Sequence, residues 1–362
     1  MLAQMSSNSP KLFLAPMEGV TDWIMRDALT QIGGIDYCVT EFLRVTKVLH
    51  PNKIFQRHCP ELALGGRTRS GTPVYFQLLG GEAQPLSENA HRAAQLGALG
   101  IDLNFGCPAK TVNRHDGGAV LLKSPHRLYD IAKSVRQSVP QNIPVSGKIR
   151  LGFEDTSLCK ENALALQEAG VQWITVHCRT KVEGYRPPAH WHWIPMLKEI
   201  LNIPIIANGD INSVDTFNAC RIETGVDQFM IGRASLSDPF LFNKIKFKNK
   251  NKDNNKESNK ESNKESNLEN IEWLEVQKLI LPFFEISQNQ VNPYFATSRT
   301  KQWLKYLAMK FPEAKDLFQR VKIFMKPVEF KECLKIEIGF PKMDIGNQIF
   351  GQNTIKTFSN RR

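Results

Sequence analysis

Over residues 1–246 the apolar residues recur in two alternating rhythms. Short runs with period two or unbroken apolar character read as strands: Leu12 to Met17, Tyr37 to Phe42, Val74 to Leu79, Ile101 to Phe105, Val145 to Leu151, Trp173 to His177, Ile205 to Asn208 and Phe229 to Gly232. Between them Asp22 to Gln31, Ala83 to Gly97, Leu121 to Ser138, Ser157 to Ala169, Ile194 to Leu201 and Val214 to Glu223 carry helical spacing. Stop signals such as Gly33-Gly34 and Gly170 fall where helices must end. Strand and helix alternating eight times in about 250 residues predicts an α/β fold, a closed (β/α)₈ (TIM) barrel. An open doubly wound sheet is the alternative, but the first strand ends in Ala15-Pro16-Met17-Glu18-Gly19 rather than a Gly-x-Gly-x-x-Gly turn.

The pattern changes after the barrel. Residues 247–270 are dominated by Lys, Asn, Glu and Ser, with Asn-Lys-Glu-Ser repeated at 255, 259 and 263. Such a stretch has too little apolar surface to bury and predicts a low-complexity flexible linker. Its repeat is charge-neutral, which favours an inert spacer over a basic tether. Helical periodicity returns over 271–340 through Ile271, Leu274, Leu279, Phe283, Trp303, Leu304, Leu307, Phe311, Leu317, Val321 and Phe324, predicting a small helical domain. Residues 341–362 form a polar tail expected to fray.

In a barrel all strands end at one face, so those ends are where chemistry is sought. They hold Pro16 and Met17; Glu41 and Arg44; Gln77; Asn104 and Cys107; Lys148 and Arg150; His177 and Arg179; Asn208, Gly209 and Asp210; Gly232 and Arg233. One buried Lys or His is more often structural than catalytic; polar groups at nearly every strand end are harder to explain by folding alone. Cys107 stands between Gly106 and Pro108, which break the strand Ile101 to Phe105, and the basic loop from Lys110 to His115 follows. A buried structural cysteine is the competing reading, but that loop makes a poor core wall and a good pocket rim. The glycines in Asn208-Gly209-Asp210 and Gly232-Arg233 follow strands seven and eight, where barrels commonly bind phosphate. His190-Trp191-His192 reads as a helix start packed by tryptophans, since no third metal ligand is near in sequence.

Composition narrows the classes. A hydrophobic fraction of 41% over 362 residues is that of a globular chain. No apolar run approaches the roughly 18 residues needed to span a bilayer, and Met1 to Pro10 lacks a signal core. The seven cysteines, at 38, 59, 107, 159, 178, 220 and 333, are scattered and never spaced as Cys-x-x-Cys, so neither a disulfide scaffold nor a zinc site is expected. These features predict a soluble cytoplasmic protein without a metal. Of the net charge of +11, residues 247–362 hold 21 Lys and Arg against 14 Asp and Glu, or +7, leaving +4 for the rest. A polyanionic partner for the C-terminal part is expected, with plain solubility as the alternative.

The ordered motifs Leu14-Ala15-Pro16-Met17-Glu18-Gly19-Val20-Thr21-Asp22, Gln77-Leu78-Leu79-Gly80, Asn104-Phe105-Gly106-Cys107-Pro108, Lys148-Ile149-Arg150, His177-Cys178-Arg179-Thr180, Asn208-Gly209-Asp210 and Ile231-Gly232-Arg233 resemble the tRNA-dihydrouridine synthases. Glu41 to Val45, Lys110 to Asn113 and Lys301 to Leu304 are most similar to the bacterial branch that modifies uridine 16. Cys178 stands where many members have glycine.

The resemblance implies FMN-dependent reduction of the uridine C5=C6 bond with NADPH as reductant, Cys107 as proton donor and a base extruded from the tRNA. It implies that Ala15, Pro16 and Met17 lie beneath the FMN ring, Gln77 bonds its pyrimidine edge, Lys148 sits near N1/O2 and His177 supports the ring or ribityl chain. Asn208, Gly209, Asp210, Gly232 and Arg233 would hold the ribityl phosphate, and Asn104 would orient the uracil. Arg44, Arg150, Arg299, Lys301 and Lys322 would contact tRNA, with Arg299, Lys301 and Lys322 on exposed helix faces. A monomer is expected. Two rivals stand beside this: an FMN barrel acting on a free pyrimidine, which would not need the basic helical domain, and a non-catalytic RNA-binding protein, which would not need Cys107 and Lys148 in one bowl.

Overall fold

The computed structural model describes residues 9–253 and 262–338. Eight parallel strands close into a barrel in chain order: β1 (Lys11–Leu14), β2 (Tyr37–Arg44), β3 (Val74–Leu79), β4 (Ile101–Asn104), β5 (Val145–Gly152), β6 (Trp173–Thr180), β7 (Ile205–Asn208) and β8 (Gln228–Ile231). β8 closes the ring on β1, with Phe13 opposite Met230. Outside run helices α1 (Trp23–Ile32), α2 (Ala83–Gln95), α3 (Pro125–Ser138), α4 (Cys159–Glu168), α5 (Trp193–Lys198), α6 (Val214–Thr224) and α7 (Leu241–Asp253). The α/β barrel read from the alternation is therefore the fold.

Period two decides what fills the barrel. Phe13, Tyr37, Tyr75 and Trp173 form a line of neighbouring rings with centroids 5.0 to 5.5 Å apart, and with Val39, Ile206 and Met230 they make a dry floor. Two residues beyond Tyr75 and Ile206 come Gln77 and Asn208, whose side chains bond those of Asp102 and Lys148, so the barrel turns from apolar to polar toward its C-terminal mouth.

Two departures from the periodicity have local causes. The helix expected from Leu121 to Ser138 is split into a 3₁₀ turn, Gly118–Lys123, and α3, because Pro125 at the first helical position restricts Ser124 to φ −143°, ψ 82°. A short helix, Asn52–His58, stands after β2 where no helix was read. It has Pro51 before it and buries only Phe55, so it lacks an apolar stripe.

The linker reading needs correction at both ends. α7 continues to Asp253, and the next helix, α8 (Ser262–Gln290), starts within the repeat. Lys, Glu and Asn tolerate helix once flanking turns nucleate it. Residues 254–261, with the repeats at 255 and 259, lie outside the described residues, as does the tail 341–362. α8 packs with α9 (Pro293–Leu307) and α11 (Pro327–Ile338), and α10 (Pro312–Val321) packs against both of these. Phe283 meets Trp303 at 5.0 Å, and Phe284 meets Phe330 at 5.4 Å. The buried stripe of α8 runs through Trp273, Val276, Ile280, Phe283 and Phe284; Leu274, read as part of it, is 54% exposed because the stripe begins one residue earlier. Among the described residues no helix is long and apolar enough to cross a membrane.

Candidate active site

The strand ends enclose a cavity of about 500 Å³ at the C-terminal mouth, a size usual for ligand sites. Ala15, Pro16, Met17, Gln77, Asn104, Cys107, Lys148, Arg150, His177, Asn208, Gly209, Asp210, Gly232 and Arg233 all line it. Sequence reasoning thus gathered one wall set from seven strands and their loops. It did not single out Glu18, Tyr185 or Tyr306, which line the cavity too. Tyr306 belongs to α9, so the helical domain is part of the site.

Cys107 is placed by its backbone. Its N–H donates to Oδ1 of Asn104 (2.9 Å), as does that of Gly106 (3.0 Å), while its carbonyl accepts from the side chain of Asn113 (3.0 Å) and the N–H of Ala119 (3.1 Å). Gly118, at φ +67°, passes so close that a Cβ there would lie 2.9 Å from the Cys107 carbonyl oxygen. Only glycine fits that approach and that backbone. The half-buried thiol is pushed above its ordinary pKa chiefly by burial, with Glu18 adding and the Ala109 N–H, Arg150 and Arg44 opposing. It is a thiol, not a thiolate, at neutral pH.

From the neighbouring β5 round to β8 the wall is cationic but restrained. Lys148 Nζ donates to Oδ1 of Asn208 (3.0 Å), whose Nδ2 donates to the Met230 carbonyl (2.8 Å). Burial, and then Arg150, bring Lys148 down to about 8. His177 is held well below its ordinary value by burial and by Arg150, Lys148, Arg179 and Arg233, so it is neutral. Its Nε2 faces Nη1 of Arg179 at 3.3 Å and must accept, which leaves the proton on Nδ1. Arg179 also pairs with Asp210, whose carboxylate accepts the Ala189 N–H (2.7 Å). Gly209, at φ +122°, lies against the His177 ring, 3.2 Å from where its Cβ would sit. Arg233 is exposed, its guanidinium 5.0 Å from the Tyr185 ring centre, and Arg150 faces the same ring at 5.3 Å.

Three expected tRNA contacts change character. Arg150 is 1% exposed: Nε donates to the Gly106 carbonyl (2.9 Å), and Nη1 to those of Thr180 (3.0 Å) and Gly184 (2.8 Å). It braces the Cys107 loop instead of lying on a surface. Arg299, expected on an exposed helix face, is 6% exposed and donates to the carbonyls of Gly19 (3.0 Å) and Val20 (2.7 Å) and to Asp22 (3.2 Å). Lys301 is half-buried, with Nζ on the carbonyls of Lys322 (3.0 Å) and Phe324 (2.7 Å). Lys322 is exposed as expected and bonds Gln319. Arg44 is half-buried at the end of β2. Asn104 has its oxygen committed to the Cys107 loop, and Gln77 donates to Asp102 (2.7 Å), so both amides reach the cavity already partnered. A glycine at 178 would leave a void: Cys178 is wholly buried, Sγ 3.6 Å from the Val176 carbonyl. His190 pairs with Glu183 (2.7 Å), and among the described residues no three His, Cys, Asp or Glu side chains gather to hold a metal.

A closed barrel whose C-terminal mouth collects a thiol, a tempered lysine, a neutral histidine and an exposed arginine defines a (β/α)₈-barrel enzyme. Comparison with known proteins narrows this. The family model "Dihydrouridine synthase (Dus)" matches residues 13–329, and the chain belongs to the dihydrouridine synthase family. It is 46% identical over 312 residues to the tRNA-dihydrouridine(16) synthase of Aquipseudomonas alcaligenes, covering 86% of this chain and 95% of that one. It is 44% identical to the protein of the same name from Shewanella oneidensis (90% and 97% covered) and 41% identical to that from Neisseria meningitidis serogroup B (91% and 96%). Among solved structures, a 2-naphthoyl-CoA reductase complex superposes with a TM-score of 0.51 at 13% identity, over 65% of this chain and 49% of that one, a likeness of fold alone.

Proposed function

We propose that this chain is an FMN-dependent tRNA-dihydrouridine synthase that reduces the C5=C6 bond of uridine 16 with NADPH, Cys107 donating the proton. The observation that carries the reading is that one cavity gathers a protonated thiol on β4's loop with Lys148 on the neighbouring β5, His177 on β6 and Arg233 after β8. Curated relatives similar over nearly their whole length bear the name tRNA-dihydrouridine(16) synthase, which supports the substrate and the position.

The residues fit a flavin nucleotide. Arg233, exposed beside Gly232, would bind the phosphate, with Asn208, Gly209 and Asp210 along the ribityl chain. Ala15, Pro16 and Met17 give an apolar floor, and Lys148 places a cation in reach of an electron-rich ring edge. When bound, FMN would supply the hydride that goes to C6. Cys107 holds a proton on sulfur and delivers it to C5; the resulting thiolate regains a proton before the next turnover. Glu18 and Glu41 line the same cavity with carboxyl groups raised by burial, Glu41 to about 7, and the negative charge of Glu18 disfavours the thiolate and helps keep the proton on sulfur. Tyr306 extends the cavity wall from the helical domain, which supports a macromolecular substrate over a free pyrimidine. Exposed Lys305 and Lys322 offer that domain's charge to phosphates.

The test is direct. The purified protein should be yellow and, with NADPH, should form dihydrouridine at position 16 of tRNA from a strain lacking this enzyme. Colourless protein that binds tRNA without forming dihydrouridine would replace the reading with that of an RNA-binding protein.

A further inference from the structure

A hydrogen-bond chain crosses the barrel interior from a buried carboxylate to the Cys107 loop, and its direction is fixed at both ends. Ser146 Oγ donates to Oδ1 of Asp102 (2.6 Å), and Gln77 Nε2 donates to Oδ2 (2.7 Å). Asn104 Nδ2 donates to Oε1 of Gln77 (2.9 Å), and the N–H groups of Gly106 and Cys107 donate to Oδ1 of Asn104 (3.0 and 2.9 Å). An ionised carboxylate only accepts, and a peptide N–H only donates. With both termini so fixed, turning either amide over would set donor against donor or acceptor against acceptor.

Asp102 stands beside Gln77 on one side and Ser146 on the other in the strand ladder and is 2% exposed. Burial raises its carboxyl to about 6, against the hydrogen bonds of Gln77 and Ser146 and the charge of Lys148, so it is ionised at neutral pH. Burying a carboxylate is costly unless it is well satisfied, and an apolar side chain would serve the fold as well. The charge pins one end of the chain: both amide oxygens are turned into it, Gln77 is wholly buried, and what Asn104 has left for the cavity it lines is its second N–H.

Resting on the function proposed above, we infer that Asp102 is a positioning residue: through Gln77 and Asn104 it holds the Cys107 loop in register and makes that wall a donor surface. Such a wall selects ring edges bearing carbonyl oxygen, as uracil does, and rejects those that present an amino group, as cytosine does. The loop N–H groups pin Asn104 from one end and Asp102 pins Gln77 from the other, so the chain is held at both termini.

The test compares Asp102→Asn and Ser146→Ala with the wild-type holoenzyme, reading Cys107 alkylation by iodoacetamide across pH beside dihydrouridine formation. Asparagine at 102 can face Gln77 with either end, so the chain is pinned from the loop end alone while its volume stays. The loosened loop should expose the thiol, raising its alkylation rate at pH 8 by about fivefold. The rate constant for dihydrouridine formation should fall by roughly 10- to 100-fold with KM for tRNA changed less than about twofold. Ser146→Ala should move both readouts the same way by less, and it decides alone if Asp102→Asn does not fold. Wild-type alkylation profiles in the folded variants would overturn the inference, as would altered alkylation with unchanged turnover. If the wild-type enzyme itself makes no dihydrouridine, the proposed function falls, while the alkylation comparison still judges the chain.

Discussion

The guanidinium of Arg299 lies 2.7 Å from the carbonyl oxygen of Val20, joining α9 to the loop after β1 across 279 residues of sequence. The same side chain holds Gly19 and Asp22. That loop also carries Met17 and Glu18 at the cavity floor. Arg299→Ala should therefore weaken the docking of the helical domain by about 2–3 kcal/mol, the usual cost of deserting buried charge-assisted bonds, and should loosen flavin binding as well. Arg299→Lys should recover only part, since an ammonium cannot fork to two carbonyls in the same way. Thermal denaturation and flavin fluorescence titration check this; unchanged values for Arg299→Ala would remove its bridging role.

Cys107→Ala should keep flavin and its reduction by NADPH while lowering dihydrouridine formation by about 10²-fold or more, the usual contribution of a general acid. Because burial holds the thiol above its ordinary pKa, wild-type turnover should stay level through neutral pH and decline only on the alkaline side. Single-turnover assays on tRNA across pH decide it. A Cys107→Ala enzyme of normal rate would end the acid assignment.

Lys148, at about 8, is mostly charged at neutral pH and mostly neutral above pH 9. If its cation faces the flavin, binding raises its pKa, and by linkage the affinity should drop as pH rises through about 8, by up to about tenfold. Lys148→Met should bind more weakly with no such step. Equilibrium dialysis between pH 7 and 10 distinguishes a stepped from a flat profile.

Glu41 is raised to about 7 by burial, then by Asp22 and Glu18. In the unfolded chain it titrates near its ordinary value of 4.5. Between these values the native state binds more protons, so its contribution to stability is full below pH 4.5 and lost as pH rises through 7. Glu41→Gln, which can still accept the Val20 N–H, should be flat over this window. It should exceed wild type at pH 8 by on the order of 3 kcal/mol at most. Urea midpoints at pH 5 and pH 8 give the comparison, and equal differences at both would contradict the assignment.

Replacing exposed Lys305 and Lys322 by alanine should weaken tRNA binding similarly across sequences. It should also lower the slope of log affinity against log salt by about 2. An unchanged slope would mean that the phosphates lie elsewhere.

The sequence by itself determined the barrel and the composition of its mouth. Period-two runs such as Ile205 to Asn208 need no partner to declare an inward and an outward face, and strand ends of a barrel meet wherever the strands go. The site loops announced themselves through Gly106, Pro108, Gly209 and Gly232. What only the tertiary structure decided is which cations are free. Arg150 and Arg299 have the residue type of phosphate ligands, yet their guanidiniums are spent on carbonyls of Gly106, Thr180, Gly19 and Val20. Tyr306 reaches the cavity only because α9 docks on the barrel, and Gln77 and Asn104 take one amide orientation because Asp102 meets them at one end and the Gly106 and Cys107 N–H groups at the other. A helix face records its own spacing but not what packs against it, and hydrogen bonds across hundreds of residues leave no period in the chain.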